Sequence, residues 1–325
     1  MSFKHIPLFV AVVIFLHVSD AGADPYDGPI FDAHGHMGAS FDPNTINRIM
    51  EFNNVTRQVL MARYYPGKPD DVAGRDELSL EMAASYPGRF FPLVGMQLPW
   101  LTESNKWHDE SLLEPLLKRT ERRLSSGKFY GIGEVIVRHF AYSKSRHSEQ
   151  DHPINSTFIR RLSGIAKRFD VPIVIHMEGE PGLVADFSQL IDEYKSVRYV
   201  WAHNCGRSHA KVIRSKLEKH GNLFCDLASM TNIGRHNYGT GLPRMESYTT
   251  LMEVGGIFFP RMKQVYEDFP DRFTIGMDVA HARGMNRRNY SLRVNRFRQL
   301  LGQLTPATAK LIAEDNAFQI FKLKN

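Results

Sequence analysis

Only two of the 325 residues are cysteine, Cys205 and Cys225. That scarcity excludes both a disulfide-built scaffold and a thiolate-rich zinc site. In an oxidising compartment the pair permits one bridge, while two ordinary buried thiols fit the sequence equally well. No hydrophobic run of membrane length occurs beyond the N-terminus, so no stable membrane insertion is expected of the mature chain. The sequence has no linker, low-complexity tract or block of like charge. Its net charge of +6 is spread along the chain, which gives no support to nucleic-acid binding. A Gly-rich phosphate loop after the first predicted strand is also missing, which weighs against the alternative of a doubly wound open sheet.

The one apolar N-terminal run, residues 6–18, follows Lys4 and precedes the small residues Ala21-Gly22-Ala23. This is the layout of a secretory signal peptide cleaved before Asp24, with an uncleaved anchor as the alternative. Residues 1–23 are therefore set aside as a leader, 24–325 are read as one domain, and the protein is expected to be secreted or periplasmic.

Within 24–325, short β-rich runs alternate with longer helical patterns, the signature of βαβ units around a parallel sheet. Eight strands are predicted, at 29–34, 57–62, 90–96, 129–137, 172–176, 199–203, 223–227 and 273–278. Helices are predicted between and after them at 44–52, 76–85, 111–125, 156–169, 183–194, 208–219, 262–269 and 290–300. Eight such alternations in a chain of this length predict a single-domain α/β protein, a (β/α)₈ TIM barrel. The long aperiodic stretch 228–256, with Arg235, His236, Tyr238 and Arg244, reads as a functional loop or lid.

The sharpest motif is Phe31-Asp32-Ala33-His34-Gly35-His36, at the end of the first strand. Side chains two apart on a strand face the same way, so His34 and His36 can offer two imidazoles to one metal ion. His176 ends the fifth predicted strand, His203 the sixth and Asp278 the eighth. Each of these alone fits a hydrogen-bonded core histidine or a capping aspartate. Four strand ends carrying ligand-type residues on the face where barrels build their sites point to a metal centre.

The order His-x-His, His, His, Asp on strands one, five, six and eight resembles the amidohydrolase superfamily. The closing stretch 312–321, with Asn316-Ala317 and Phe321, resembles the Asn-Ala-x-x-x-Phe ending of its amidohydrolase-related branch. The chain departs from that branch where Asn204 and Cys205 precede Gly206, and where Met277 precedes Asp278 and Val279-Ala280-His281 follow it. These departures spare the metal ligands and bear on the substrate. Two-metal members bridge their ions with a carboxylate or carboxylated lysine from the third or fourth strand. No lysine ends either strand here, so the resemblance makes Glu134 the bridging candidate; an ion pair with Arg138 or another arginine at the barrel mouth is its alternative.

Such a site holds one or two divalent ions, zinc first, with manganese or iron as alternatives, and leaves a position open for water. The ion lowers the pKa of that water from about 15.7 to near 7. Asp278 is expected to take the water's proton and pass it to the leaving group. The resemblance gives His203 the polarisation or positioning of the substrate. Among the arginines that follow the strands, Arg207 and Arg283 are the candidates for gripping a small anionic substrate. The expected function is hydrolysis of an amide, lactone, ester or phosphoester bond. The alternatives are a nonoxidative decarboxylase of the same superfamily and a non-catalytic metal- or ligand-binding barrel. Association of the chain with itself stays open.

Overall fold

Phe31 and Ala33, Val59 and Met61, Phe91 and Leu93, Val174 and Val200 all belong to one buried apolar cluster. Their sequence neighbours Ile30, Leu60, Phe90, Val94, Ile173, Ile175, Tyr199 and Trp201 belong to a second, much larger one. Strand side chains alternate between faces, so these segments are buried on both sides, the first cluster inside a curled sheet and the second beneath helices.

A computed structural model describes residues 23–38, 41–63, 75–140, 149–231, 251, 256–280 and 284–324. Residues 1–22 of the expected signal peptide, residues 232–250 and 252–255 of the expected lid, and Arg283 lie outside these residues. The barrel strands are β1 (Ile30–Met37), β2 (Val55–Arg63), β3 (Phe90–Gln97), β4 (Ile132–His139), β6 (Ile173–Met177), β7 (Tyr199–Trp201), β8 (Leu223–Asp226) and β9 (Phe273–Thr274). They are parallel and follow the order β1-β2-β3-β4-β6-β7-β8-β9. A short strand β5 (Gln150–Asp151) pairs antiparallel with the end of β4. Hydrogen bonds from Ala33 N to Ile275 O (2.8 Å) and from Asp278 N to His34 O (2.9 Å) bring the last strand back to the first. The eight-stranded barrel anticipated from the alternation is thus observed, and the open doubly wound sheet is not.

Helices α1 (Pro43–Phe52), α2 (Arg75–Ser85), α3 (Glu110–Ser125), α4 (Thr157–Phe169), α5 (Pro181–Glu193), α6 (Ala210–Lys219), α7 (Pro260–Asp268) and α8 (Arg287–Gly302) surround it. Their starts follow local capping chemistry: Asp42, Asp109, Ser156 and Asn286 each accept a hydrogen bond from a first-turn N–H. No helix among the described residues is long and apolar enough to cross a membrane.

The C-terminal segment, α9 (Pro306–Lys310), a π-turn (Leu311–Asp315) and α10 (Asn316–Phe321), closes the end of the barrel where the strands begin. Phe318 packs edge-on against Phe31 at 5.4 Å, and Ala317, Ile320 and Phe321 join the interior cluster. Asn316 donates from Nδ2 to Pro270 O and Phe273 O, both at 2.8 Å, fastening the plug to the start of β9. The Asn-Ala-x-x-x-Phe ending is therefore a stability element, remote from the strand ends that carry the ligand-type residues. Burying each large apolar side chain there is worth about 1.5–3 kcal/mol.

Candidate metal centre

At the other end of the barrel, β1 does not keep its alternation. Asp32 pairs with Gln58 and Gly35 with Leu60, so β1 carries one extra residue across this step. Strict alternation from Phe31 and Ala33 would turn His34 and His36 out of the barrel. The bulge reverses the phase and turns both imidazoles inward. Asp32 stays outside, where it accepts from Gln58 Nε2 (2.6 Å), Met277 N (2.8 Å) and Tyr290 OH (3.3 Å). Burial pushes its pKa up to about 6. Gly276 completes the packing, because a Cβ there would lie 2.5 Å from His34 Cβ.

Two groups of three side chains converge. His34, His36 and Asp278 place one ligand atom each within 4.8 Å of one another, and so do Glu134, His176 and His203. Glu134 lies between them. Its Oε1 is 3.6 Å from His34 Nε2, 3.1 Å from His176 Nδ1 and 3.4 Å from His203 Nε2; its Oε2 is 3.8 Å from His36 Nε2. Asp278 Oδ1 lies 3.2 Å from His36 Nε2 and 3.9 Å from His34 Nε2. Atoms bound to one ion at about 2.0–2.2 Å are separated by roughly 3–4 Å, so these spacings suit a divalent metal. The buried His34 Nε2 has no hydrogen-bond partner, although it points into this cluster. An unsatisfied nitrogen aimed at carboxylates and other imidazoles fits a ligand atom better than a core residue.

The surrounding bonds fix which nitrogen of each ring faces inward. His34 Nδ1 lies 2.8 Å from Asp226 Oδ2, leaving Nε2 for the centre. His203 Nδ1–H donates to Ala228 O at 2.9 Å, again leaving Nε2, which is 2.8 Å from His176 Nδ1. His176 is turned the other way, with Nε2 3.2 Å from Glu178 Oε1 and Nδ1 toward Glu134. Burial lowers the pKa of His203, helped by the nearby Arg207 and His176. Burial also disfavours the charged form of His34, but Asp226 and Glu134 outweigh it and lift its pKa to about 10. Glu134 is buried and Asp278 half-buried, and loss of solvent alone would raise their pKa values. The histidines around them hold both well below the usual carboxylate range.

The segment bearing His203 departs from the expected strand. β7 ends at Trp201, and His203, Asn204, Cys205, Gly206 and Arg207 all have φ between 52° and 67°. A run of left-handed residues costs roughly 1–2 kcal/mol for each non-glycine member, so the surroundings must hold it. Gly206 is required where it stands, since a Cβ would lie 2.2 Å from Met177 O. Asp278 likewise lies past the last strand pair rather than at a strand end, with φ 48° and its Oδ2 accepting from Ser229 Oγ at 2.6 Å.

A cavity of about 650 Å³ opens over the cluster, lined by His36, Glu134, His176, His203 and Asp278, with Arg63, Arg207 and Arg293 among the other walls. Arg207 is buried, and its NH1 donates to Glu178 Oε1 at 2.5 Å. Arg138 pairs with Glu180 and Glu149, which leaves Glu134 to face the histidines. Sequence reasoning passed over Asp226, Glu178, Gln97 and Ser229. Asp226 carried a weaker signal, as the one carboxylate inside the otherwise apolar predicted strand 223–227. Gln97 ends β3 and donates to Glu134 Oε2 at 2.6 Å.

No curated protein matches the chain by sequence. Among solved structures, 2,6-dihydroxybenzoate decarboxylase from Rhizobium shares 12% identity over 91% of this chain and 99% of its own, with a TM-score of 0.53. An amidohydrolase from Burkholderia multivorans with bound zinc shares 13% over 91% and 100%, with a TM-score of 0.55. A dihydroxybenzoic acid decarboxylase from Polaromonas sp. JS666, with bound manganese and the inhibitor 2-nitroresorcinol, shares 12% over 91% and 97%, with a TM-score of 0.53. At such identities the likeness establishes the fold. The sequence model described as Amidohydrolase matches residues 31–323, from the first barrel strand to the C-terminal plug, and the chain belongs to that family of metal-dependent enzymes.

Proposed function

We propose that the protein is a hydrolase that uses two divalent ions, zinc first, to cleave an amide, lactone, ester or phosphoester bond in a small anionic substrate. The observation that carries this reading is Glu134, a buried carboxylate within 4 Å of all four histidines and set between two three-residue ligand groups. Like-charged ions about 3.5–4 Å apart need a shared anion to offset their repulsion, and Glu134 stands where one would serve. His34, His36 and Asp278 would hold one ion, and His176 and His203 the other. A metal bound there would supply an acidified water and a Lewis acid for the substrate oxygen.

The protein's own groups supply the rest. Asp278 is the most solvent-facing member of the cluster, its side chain 19% exposed. Its carboxylate takes the water's proton and returns it to the leaving group, while Ser229 donates to Oδ2 and restricts the carboxylate's rotation. His203, neutral and bonded through Nδ1–H, keeps Nε2 toward the reacting centre. Arg207, in the cavity wall, and Arg283, which lies outside the described residues, are the candidates for an anionic substituent of the substrate. The disulfide between Cys205 and Cys225 supports the reading of residues 1–23 as a leader and of a secreted or periplasmic location.

A second reading, nonoxidative decarboxylation with one ion, draws support from the decarboxylases that share the fold. Metal analysis joined to a product screen in H₂¹⁸O separates the two. Hydrolysis places ¹⁸O in the product, whereas decarboxylation of a carboxylated ring releases CO₂ without solvent oxygen in the remaining product. Bound metal without turnover of either kind would leave a binding barrel.

A further inference from the structure

His34 and His203 stand in different ligand groups, yet both depend on Asp226 at the end of β8. Asp226 Oδ2 meets His34 Nδ1 at 2.8 Å, while Oδ1 accepts from His203 N at 2.9 Å and from Ala228 N at 3.0 Å. Two residues further on, Ala228 O takes the Nδ1–H of His203. The placement of His203 therefore requires that the left-handed turn be held against β8. Cys205, in the middle of that turn, is disulfide-bonded to Cys225, the residue before Asp226, with Cα atoms 5.2 Å apart. Both half-cystines are fully buried. On its other sides the turn is held by Gly179 N donating to Gly206 O (2.9 Å) and Tyr266 OH donating to Asn204 Oδ1 (2.8 Å). Neither of these contacts ties it to β8.

We propose that the Cys205–Cys225 disulfide is a positioning element of the metal centre, fastening the turn to β8 so that His203 keeps its bond to Ala228 and presents Nε2 beside Glu134. Its consequence for metal affinity rests on the metal reading above. The placement of His203 rests on the hydrogen bonds and the bridge alone.

The test compares the full chain with the bridge intact, the same protein reduced by tris(2-carboxyethyl)phosphine in sub-denaturing urea and returned to buffer, and Cys205→Ala/Cys225→Ala. Thiol alkylation and mass confirm the state of the bridge, and far-UV circular dichroism confirms the fold. In metal-free protein labelled with ¹⁵N-histidine, the His203 Nδ1–H resonance, assigned by its loss in His203→Asn, is expected with the bridge and absent without it. The Zn²⁺ dissociation constant is expected to weaken about 10–100-fold, the range for losing a group that orients a ligand. A folded, bridge-free protein that retains the Nδ1–H resonance overturns the proposal, whatever happens to the metal. A bridged protein that binds no Zn²⁺ defeats the metal reading instead, and the resonance still decides the placement of His203. If the double variant does not fold, the reduced natural chain carries the comparison.

Discussion

Asp226→Asn isolates the orientation of one ligand from the architecture around it. The amide is nearly isosteric with the carboxylate, and its oxygen, at the position of Oδ1, still accepts from His203 N and Ala228 N. Only the atom facing His34 changes, from the Oδ2 acceptor at 2.8 Å to an NH₂ donor. His34 Nδ1 must then present a lone pair, which moves the ring proton to Nε2, the nitrogen that faces Glu134 and Asp278. A charge-assisted hydrogen bond is worth about 1.5–3 kcal/mol, and about 1.4 kcal/mol corresponds to a tenfold change in affinity. Zn²⁺ binding, measured by competition with a chromophoric chelator, is therefore expected to weaken by about one to two orders of magnitude. Asp226→Ala strands two buried backbone N–H groups as well, at about 1–3 kcal/mol each, and should lower stability in addition to affinity. Zn²⁺ affinity in the Asn variant within twofold of the natural protein would refute the claim that Asp226 sets the tautomer of His34.

Three other outcomes follow from the same geometry. Glu134→Gln should reduce bound metal from about two equivalents to about one, by elemental analysis after desalting; a natural protein that never exceeds one equivalent rules out the bridging role. Arg207→Met should raise KM at least tenfold for anionic substrates and little for neutral ones, whereas equal effects on both would assign the arginine to support of Glu178. His152 is buried and stacked on Trp107 at 4.3 Å, with both ring nitrogens unpartnered, and burial lowers its pKa to about 4. Because the folded value lies below the unfolded one of about 6.5, its effect is absent above that pH, and protonation favours unfolding as pH falls toward 4. The loss approaches about 3 kcal/mol. Urea unfolding of His152→Phe at pH 7 and pH 4.5 should show a smaller acid loss than the natural chain, and an equal loss would remove His152 from the account.

The barrel was legible in the sequence because its strands are buried on both faces and its helices carry apolar stripes. Those patterns depend on burial alone. The predicted strands at 90–96 and 172–176 agree with β3 and β6 to within a residue, whereas 199–203 ran two residues past β7. The apolar run continues there, but the fit of Gly206 against Met177 O and the support of β8 turn the chain left-handed, and neither contact is local in sequence. His34 and His36 were paired by their spacing, although the spacing alone did not determine which way they face. The bulge that turns them inward is defined by the partner strand β2. Asp226 escaped notice because the apolar run continued past it to Leu227. Its partners, His34 and His203, lie far away in sequence, and only the closed sheet brings the three together.

The balance of charge at the strand ends carries the argument a step further. Asp32, Glu134, Glu178 and Asp226 are all at least 97% buried. Glu178 is matched by Arg207, and burial shifts Asp32 toward its neutral form at pH values near 6. Glu134 and Asp226, with the partly exposed Asp278, are left with histidines as their main counter-charges, and this accounts for the elevated pKa of His34. Holding ionised groups out of water without opposite charge is costly, which favours positive charge on an imidazole that is otherwise set up to be a ligand. A divalent cation among the same atoms would replace that charge with a stronger and fixed one. It would also satisfy His34 Nε2, which has no other partner. The plug at the opposite end of the barrel, built from Phe318, Phe321 and their apolar neighbours, has no such deficit. The fold thus draws stability from one end of the barrel and gathers at the other buried carboxylates and imidazoles whose charges a divalent cation would balance.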